Sequence, residues 1–268
     1  MTGQDRHAVP LSHTSYGAGP RLVLLHGVGL DRTMWDRCLP ALTESHRVTA
    51  ADLRGHGASP PAAPGVSLAE LAADVEALLE GPTHLVGFSL GALVAQRLAL
   101  VRPDLTASLT LVSSVADRTA RERDAVARRR RTAREDFAES ARASVDRWFS
   151  AEWRAREPAL AETVLRRLLA NDPASYLACY DVFATADAEL WPELPLITAP
   201  TLAVTGADDP GSTPGMSRRL AARIPGGSAQ TVPGARHLLP LERPLALTEA
   251  IVRHTGATAR TGQESRPA

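Results

Sequence analysis

The sequence predicts an α/β fold in which helices flank a mostly parallel central sheet and a helical segment is inserted. Three observations carry that prediction. Short continuous apolar runs recur along the chain, as expected of strands buried on both faces. Helical patterns separate them, the alternation that winds a parallel sheet. The alternation then stops for one long charged stretch and resumes after it. The 268 residues can bury a sizeable core; they are 44% hydrophobic but only 4% aromatic. Ala, Leu and Val must therefore fill that core, which suits helices packed on a sheet.

In chain order, the first run is Arg21 to His26 (RLVLLH), closed by Gly27. Arg47 to Asp52 (RVTAAD) follows as the second strand. Ser67 to Glu80 has a helical pattern, with Ser67 as N-cap, Glu70 at the capping-box position and Gly81-Pro82 to stop it. Thr83 to Ser89 (THLVGFS) is the next strand, Leu90 to Val101 a helix, and Ser108 to Val112 (SLTLV) a strand. From Asp117 to Trp191 the chain is Arg-rich and helical in pattern, and Thr201 to Thr205 (TLAVT) restores the strands. That return favours an insertion over an independent domain. The expected division is a core of residues 1–116 and 192–256, an insertion at 117–191, and a polar tail, 257–268, expected to be disordered. The run Arg128 to Arg131 reads as a solvated helix face, with an anion site as the lesser alternative.

Composition excludes several classes. Thirty basic residues, all Arg, balance thirty acidic ones, so net charge points to neither nucleic acid nor membrane. The polar stretch Met1 to Pro10 lacks the apolar core of a secretory signal, and no apolar run approaches the ~18 residues of a membrane helix. Cys38 and Cys179 have neither CxxC nor metal-ligand spacing, which fits a reducing cytoplasm. The expected partner is a small-molecule substrate, with no cofactor or metal.

The chemistry concentrates after the strands. Gly87-Phe88-Ser89-Leu90-Gly91 fits G-x-S-x-G between an apolar strand and a helix. A serine on such a turn is held in a strained conformation above the sheet, and flanking glycines remove Cβ atoms that would clash. Ser89 is thus the candidate nucleophile, and the Leu90 amide faces a developing oxyanion. His26-Gly27-Val28-Gly29 ends the first strand, where the Val28 amide is the second oxyanion donor. His26 reads as structural, holding the loop by hydrogen bonds, and His56 in Asp52-Leu53-Arg54-Gly55-His56-Gly57 likewise holds a turn.

A serine hydroxyl needs a base, and the base an orienting acid. In this architecture the acid and then the histidine follow the serine. Only His237 and His254 come after Ser89; His254 reads as a solvated position on the last helix, and His237 sits in a loop after the strand-like Ala229 to Val232. Gly206-Ala207-Asp208-Asp209-Pro210 follows the strand Thr201 to Thr205 and offers two carboxylates that spacing alone does not separate.

HGVG at His26, DLRGHGAS at Asp52, GFSLG at Gly87, TGADD at Thr205 and GARH at Gly234 together resemble the capped α/β-hydrolase superfamily, from about Arg21 to Arg253. By analogy with the superfamily's G-x-x-D pattern, the acid is Asp209, with Asp208 in reserve. Within it the chain is most similar to 3-oxoadipate enol-lactonases, through Arg147-Trp148-Phe149, Asn171 to Tyr176 with Cys179, Ala184 to Asp187, and TGADDPGSTP. HGVG is the generic form where some members carry a serine-containing loop. The resemblance implies a helical cap over the site, with Trp148 contacting a lactone. A lactone bearing a carboxylate would also want a cation, for which Arg128 to Arg134 and Arg142 are candidates.

The expected activity is hydrolysis of a carboxylic ester or lactone, with 3-oxoadipate enol-lactone as the leading substrate. Alternatives on the same triad are another carboxylesterase, a carbon–carbon bond hydrolase or a cofactor-free haloperoxidase. A hydrolase-fold receptor without turnover is the remote one.

Overall fold

The computed structural model describes residues 8–264, with side chains through residue 256. Among the described residues, seven strands form one sheet in the order β1-β3-β2-β4-β5-β6-β7. They are β1 His13–Tyr16, β2 Arg21–Leu25, β3 Arg47–Ala51, β4 Thr83–Phe88, β5 Thr106–Val112, β6 Thr201–Gly206 and β7 Ser228–Val232. All neighbours are parallel except β1, which pairs antiparallel with β3 at the edge. β4 and β6 are buried at every position, which is why they read as unbroken apolar runs rather than alternating ones. β1, HTSY, is mostly exposed and too short and polar to register as a strand in the sequence.

Among the described residues, six α-helices surround the sheet outside the insertion, and five make up the insertion. In chain order, α1 is Leu39–Thr43, α2 Leu68–Glu76 and α3 Leu90–Val101. The Ser67 capping box forms as expected, with Ser67 Oγ accepting from Glu70 N–H and the Glu70 carboxylate accepting from Ser67 N–H. α2 stops at Glu76, short of the expected Glu80, as Leu78 and Leu79 turn away in backbone bonds to Val75 and Glu76. The insertion comprises α4 Ala120–Glu135, α5 Phe137–Trp148, α6 Ala151–Arg156, α7 Pro158–Leu169 and α8 Pro173–Leu190. Four of its helices, α4, α5, α6 and α8, are capped in turn by Thr119, Asp136, Ser150 and Asp172, each of whose side chains accepts an N–H of the first turn. α4 packs on α5 and α8, and α8 reaches down to α3. Buried Phe149 and Trp153, stacked at 4.0 Å, anchor the middle of it. The buried Arg118–Asp187 ion pair ties the start of the insertion to α8.

The chain closes with α9 Pro214–Arg223, α10 Leu239–Glu242 and α11 Pro244–Glu264. The backbone of α11 is helical to Glu264. A helix already docked by Leu247, Ala250 and Ile251 lengthens at little cost per residue. Residues 265–268 lie outside the described residues. His254 also differs: it is half-buried and bonds the Pro200 carbonyl at 3.2 Å through Nε2.

Candidate active site

The carboxyl ends of the parallel strands supply the site, as open α/β sheets arrange it. Ser89 follows β4 and caps α3 with φ 52° and ψ −110°, a strained conformation for a residue with a side chain. The turn is possible because its neighbours lack side chains. A Cβ on Gly91 would lie 2.5 Å from the Leu25 carbonyl oxygen, and one on Gly87 2.2 Å from the Gly91 oxygen. Ser89 N–H donates to Val112 and Gly91 N–H to His26, which locks the turn between β5 and β2. Leu90 opens α3, so its N–H has no intrahelical acceptor and faces outward. Opposite it runs the loop after β2, where Val28 lines the same cleft as Ser89. Gly27 lets that loop pass close, since a Cβ there would meet Ser89 Cβ at 3.1 Å and the Phe88 ring at 2.9 Å.

His237 follows β7 and Asp209 follows β6. His237 Nδ1 donates to Asp209 Oδ2 at 2.7 Å, which leaves Nε2 as the basic nitrogen. The other carboxylate oxygen, Oδ1, accepts from the Gly211 and Ser212 amides at 2.8 and 2.9 Å. Asp208, the reserve acid, is exposed and its backbone N–H bonds Ala235. The His237 backbone is held from two sides: its N–H donates to the Trp148 carbonyl at 3.1 Å, and its carbonyl accepts from Ser113 Oγ at 2.9 Å. One residue earlier, Arg236 N–H donates to both oxygens of the Glu242 carboxyl, whose burial pushes its pKa up to about 7. Ser113 and Glu242 escaped the sequence reading because neither belongs to a motif.

Trp148 ends α5 over the site, its ring stacked on that of His237 at 5.8 Å. Ser89, Asp209, His237, Val28 and Trp148 line one cleft holding about 580 Å³ of empty space, its open mouth included. Three arginines join them. Arg129 comes from the run expected to be solvated; Arg128 and Arg131 are exposed, whereas Arg129 turns inward to the cleft. Arg118 and Arg147 were not singled out by sequence, although Arg147 adjoins Trp148. Arg142 is exposed.

The remaining motif histidines are structural. His26 Nε2 accepts Leu53 N–H and its Nδ1 donates to the Gly27 carbonyl, both at 2.8 Å; burial drives its pKa down to about 4, so the ring is neutral. His56 donates from Nδ1 to the Arg54 carbonyl at 3.1 Å, and burial, reinforced by His26, lowers it to about 3.

Residues 22–250 match the Alpha/beta hydrolase family. The chain is 29% identical over 242 residues to an (E)-2-((N-methylformamido)methylene)succinate hydrolase of Acinetobacter baylyi, covering 88% of this chain and 90% of that protein. It is 31% identical over 242 residues to a pimeloyl-[acyl-carrier protein] methyl ester esterase of Aeromonas salmonicida, covering 88% and 95%. The crystal structure of the enol-lactonase from Burkholderia xenovorans LB400 superposes with a TM-score of 0.84 at 28% identity, covering 92% of this chain and 96% of that one. Among the described residues, no helix is long and apolar enough to cross a membrane.

Proposed function

Because the chain belongs to the alpha/beta hydrolase family, we propose that it is a serine hydrolase of carboxylic esters and lactones, with Ser89 as nucleophile, His237 as base and Asp209 as orienting acid. The observation that carries this reading is the 2.7 Å His237–Asp209 bond in the cleft that Ser89 lines from its strained turn. His237 Nε2 removes the hydroxyl proton as Ser89 Oγ adds to the substrate carbonyl. The amides of Leu90 and Val28 hold the resulting oxyanion, a contribution of about 3 kcal/mol per donor. Collapse expels the alcohol or enol oxygen, which takes the proton from His237. Water, deprotonated by the same nitrogen, then releases the acid from Ser89.

Helices α4 to α8 act as a cap, bringing Trp148 against His237 and closing one side of the cleft. The specific substrate is a 3-oxoadipate enol-lactone, with Trp148 contacting the ring; likeness to an enol-lactonase structure and the position of Trp148 support it. A fluorophosphonate probe tests the general reading: it should label the wild-type protein and fail on Ser89→Ala. If the wild type neither labels nor hydrolyses p-nitrophenyl acetate, the chain is a ligand receptor instead. Freshly prepared enol-lactone, assayed beside simple aryl esters, tests the specific one. Fast ester turnover with none of the lactone would leave a carboxylesterase of other specificity.

A further inference from the structure

The cleft carries more positive charge than its own acids neutralise. Its charged lining is Arg118, Arg129, Arg147 and Asp209, with His237. Asp209 is committed to His237 and two turn amides. Arg118 is neutralised by Asp187 through Nη1, but its Nη2 is buried and has no partner among the described residues. Arg129 bonds only neutral groups in the described structure, donating from Nε to the Tyr180 hydroxyl at 3.3 Å. Arg147 donates to the Ala143 carbonyl and Ser144 Oγ, again neutral. Arg129 opposes both of its neighbours: with burial, its charge lowers the pKa of Arg118 and of Arg147. A protein that brings together mutually repelling guanidinium groups in a part-buried cleft leaves an anion to be supplied from outside.

We propose that Arg129 and Arg147, with the free Nη2 of Arg118, form an anion subsite for a carboxylate carried by the substrate, so that the protein selects acidic esters or lactones over neutral ones. A carboxylate fits because the planar guanidinium fork matches its two oxygens. The Tyr176, Tyr180 and Phe183 rings in the same lining leave the site suited to a short acid chain between the carboxylate and the scissile carbonyl. The subsite rests on reading the cleft as a hydrolase active site, and it specifies the substrate class of that site.

The test compares p-nitrophenyl hydrogen glutarate, which is anionic, with its methyl-capped neutral counterpart. The wild type is expected to favour the anion in kcat/KM by about 10- to 100-fold, the worth of a charge-assisted pair of hydrogen bonds, and raised salt should shrink that ratio. Arg129→Gln and Arg147→Gln should each cut the ratio about tenfold or more, and Arg129→Lys should restore part of it. A variant that merely disturbs the structure lowers both esters in step and leaves the ratio intact. A wild-type ratio near one, or a ratio unmoved in both Gln variants, overturns the subsite while leaving the hydrolase reading standing. Calorimetric titration of glutarate into Ser89→Ala protein decides the subsite without turnover. Binding abolished by adding Arg129→Gln supports it, and no binding, or binding that survives, refutes it.

Discussion

Asp209→Asn is the most informative single change, because the structure dictates which way the new amide must point. Asp209 Oδ1 accepts two backbone N–H groups, from Gly211 and Ser212, and neither of those donors can turn into an acceptor. The asparagine oxygen must therefore take the Oδ1 place, and its NH2 must face His237 Nδ1, where Oδ2 stood at 2.7 Å. A donor there forces Nδ1 to be the accepting nitrogen and puts the proton on Nε2. The imidazole is then the wrong tautomer to take a proton from Ser89. In a serine triad that error lowers kcat about 10,000-fold, or about 5 kcal/mol of transition-state stabilisation. Asp209→Ala is the control, since it leaves the ring free to exchange tautomers and should be no slower than the asparagine variant. Burst and steady-state hydrolysis of p-nitrophenyl butyrate, with the rate of fluorophosphonate labelling, reads both variants. If Asp209→Asn keeps more than a tenth of wild-type kcat, Asp209 does not orient the base and the acid assignment fails.

Three further changes probe the supports of the site. Gly91→Ala places a Cβ 2.5 Å from the Leu25 carbonyl oxygen, so it should destabilise by about 1–3 kcal/mol in urea unfolding and slow Ser89 labelling as the Leu90 amide shifts. Asp187→Ala strands the buried Arg118 charge and should lower unfolding free energy by about 3–5 kcal/mol; a loss below 1 kcal/mol would show that the pair is solvated. Glu242 binds a proton in the folded state up to about pH 7, against 4.5 as its ordinary value. That stabilisation is complete below the unfolded value and is lost as pH rises through 7. Wild type should therefore lose about 2 kcal/mol relative to Glu242→Gln between pH 5 and pH 9, read from urea midpoints; parallel pH profiles would contradict it.

Strands β2 to β6 were legible because each is a short apolar run ended by a turn signal, and burial on both faces writes itself into consecutive residues. β1 was not, since an exposed four-residue edge strand carries no such run. The turn at Ser89 and the candidate partners proposed for it stood out in the sequence for a related reason. Backbone strain at Ser89 and the close approaches at Gly87 and Gly91 demand particular residue types at fixed spacing, and chain order then limits the base to two histidines. Asp208 and Asp209 could not be separated by spacing, because which carboxylate is buried depends on how the turn meets the Gly211 and Ser212 amides. The arginines of the cleft were hidden for the opposite reason. Arg118, Arg129 and Arg147 lie on different segments, and only the packing of α4, α5 and α8 joins them. Within the run Arg128 to Arg131, composition suggests a uniform solvated face, whereas the helical turn of about 100° per residue sends neighbouring side chains in different directions and Arg129 inward.

If His237 is the base, as proposed, the grip on it makes the roof of the cleft part of the proton-transfer machinery. One jaw, the Trp148 carbonyl, belongs to the insertion, and the other, Ser113, belongs to the sheet. Exchanging the whole of residues 117–191 for a foreign segment therefore trades away an anchor of the base along with the substrate walls. Chimaeras built that way should lose turnover on every ester, while those that retain residues 147–149 keep the histidine seated. For the diversification of this fold, selectivity here cannot drift freely: each new roof has to rebuild the seat of the histidine before it can be judged on what it admits.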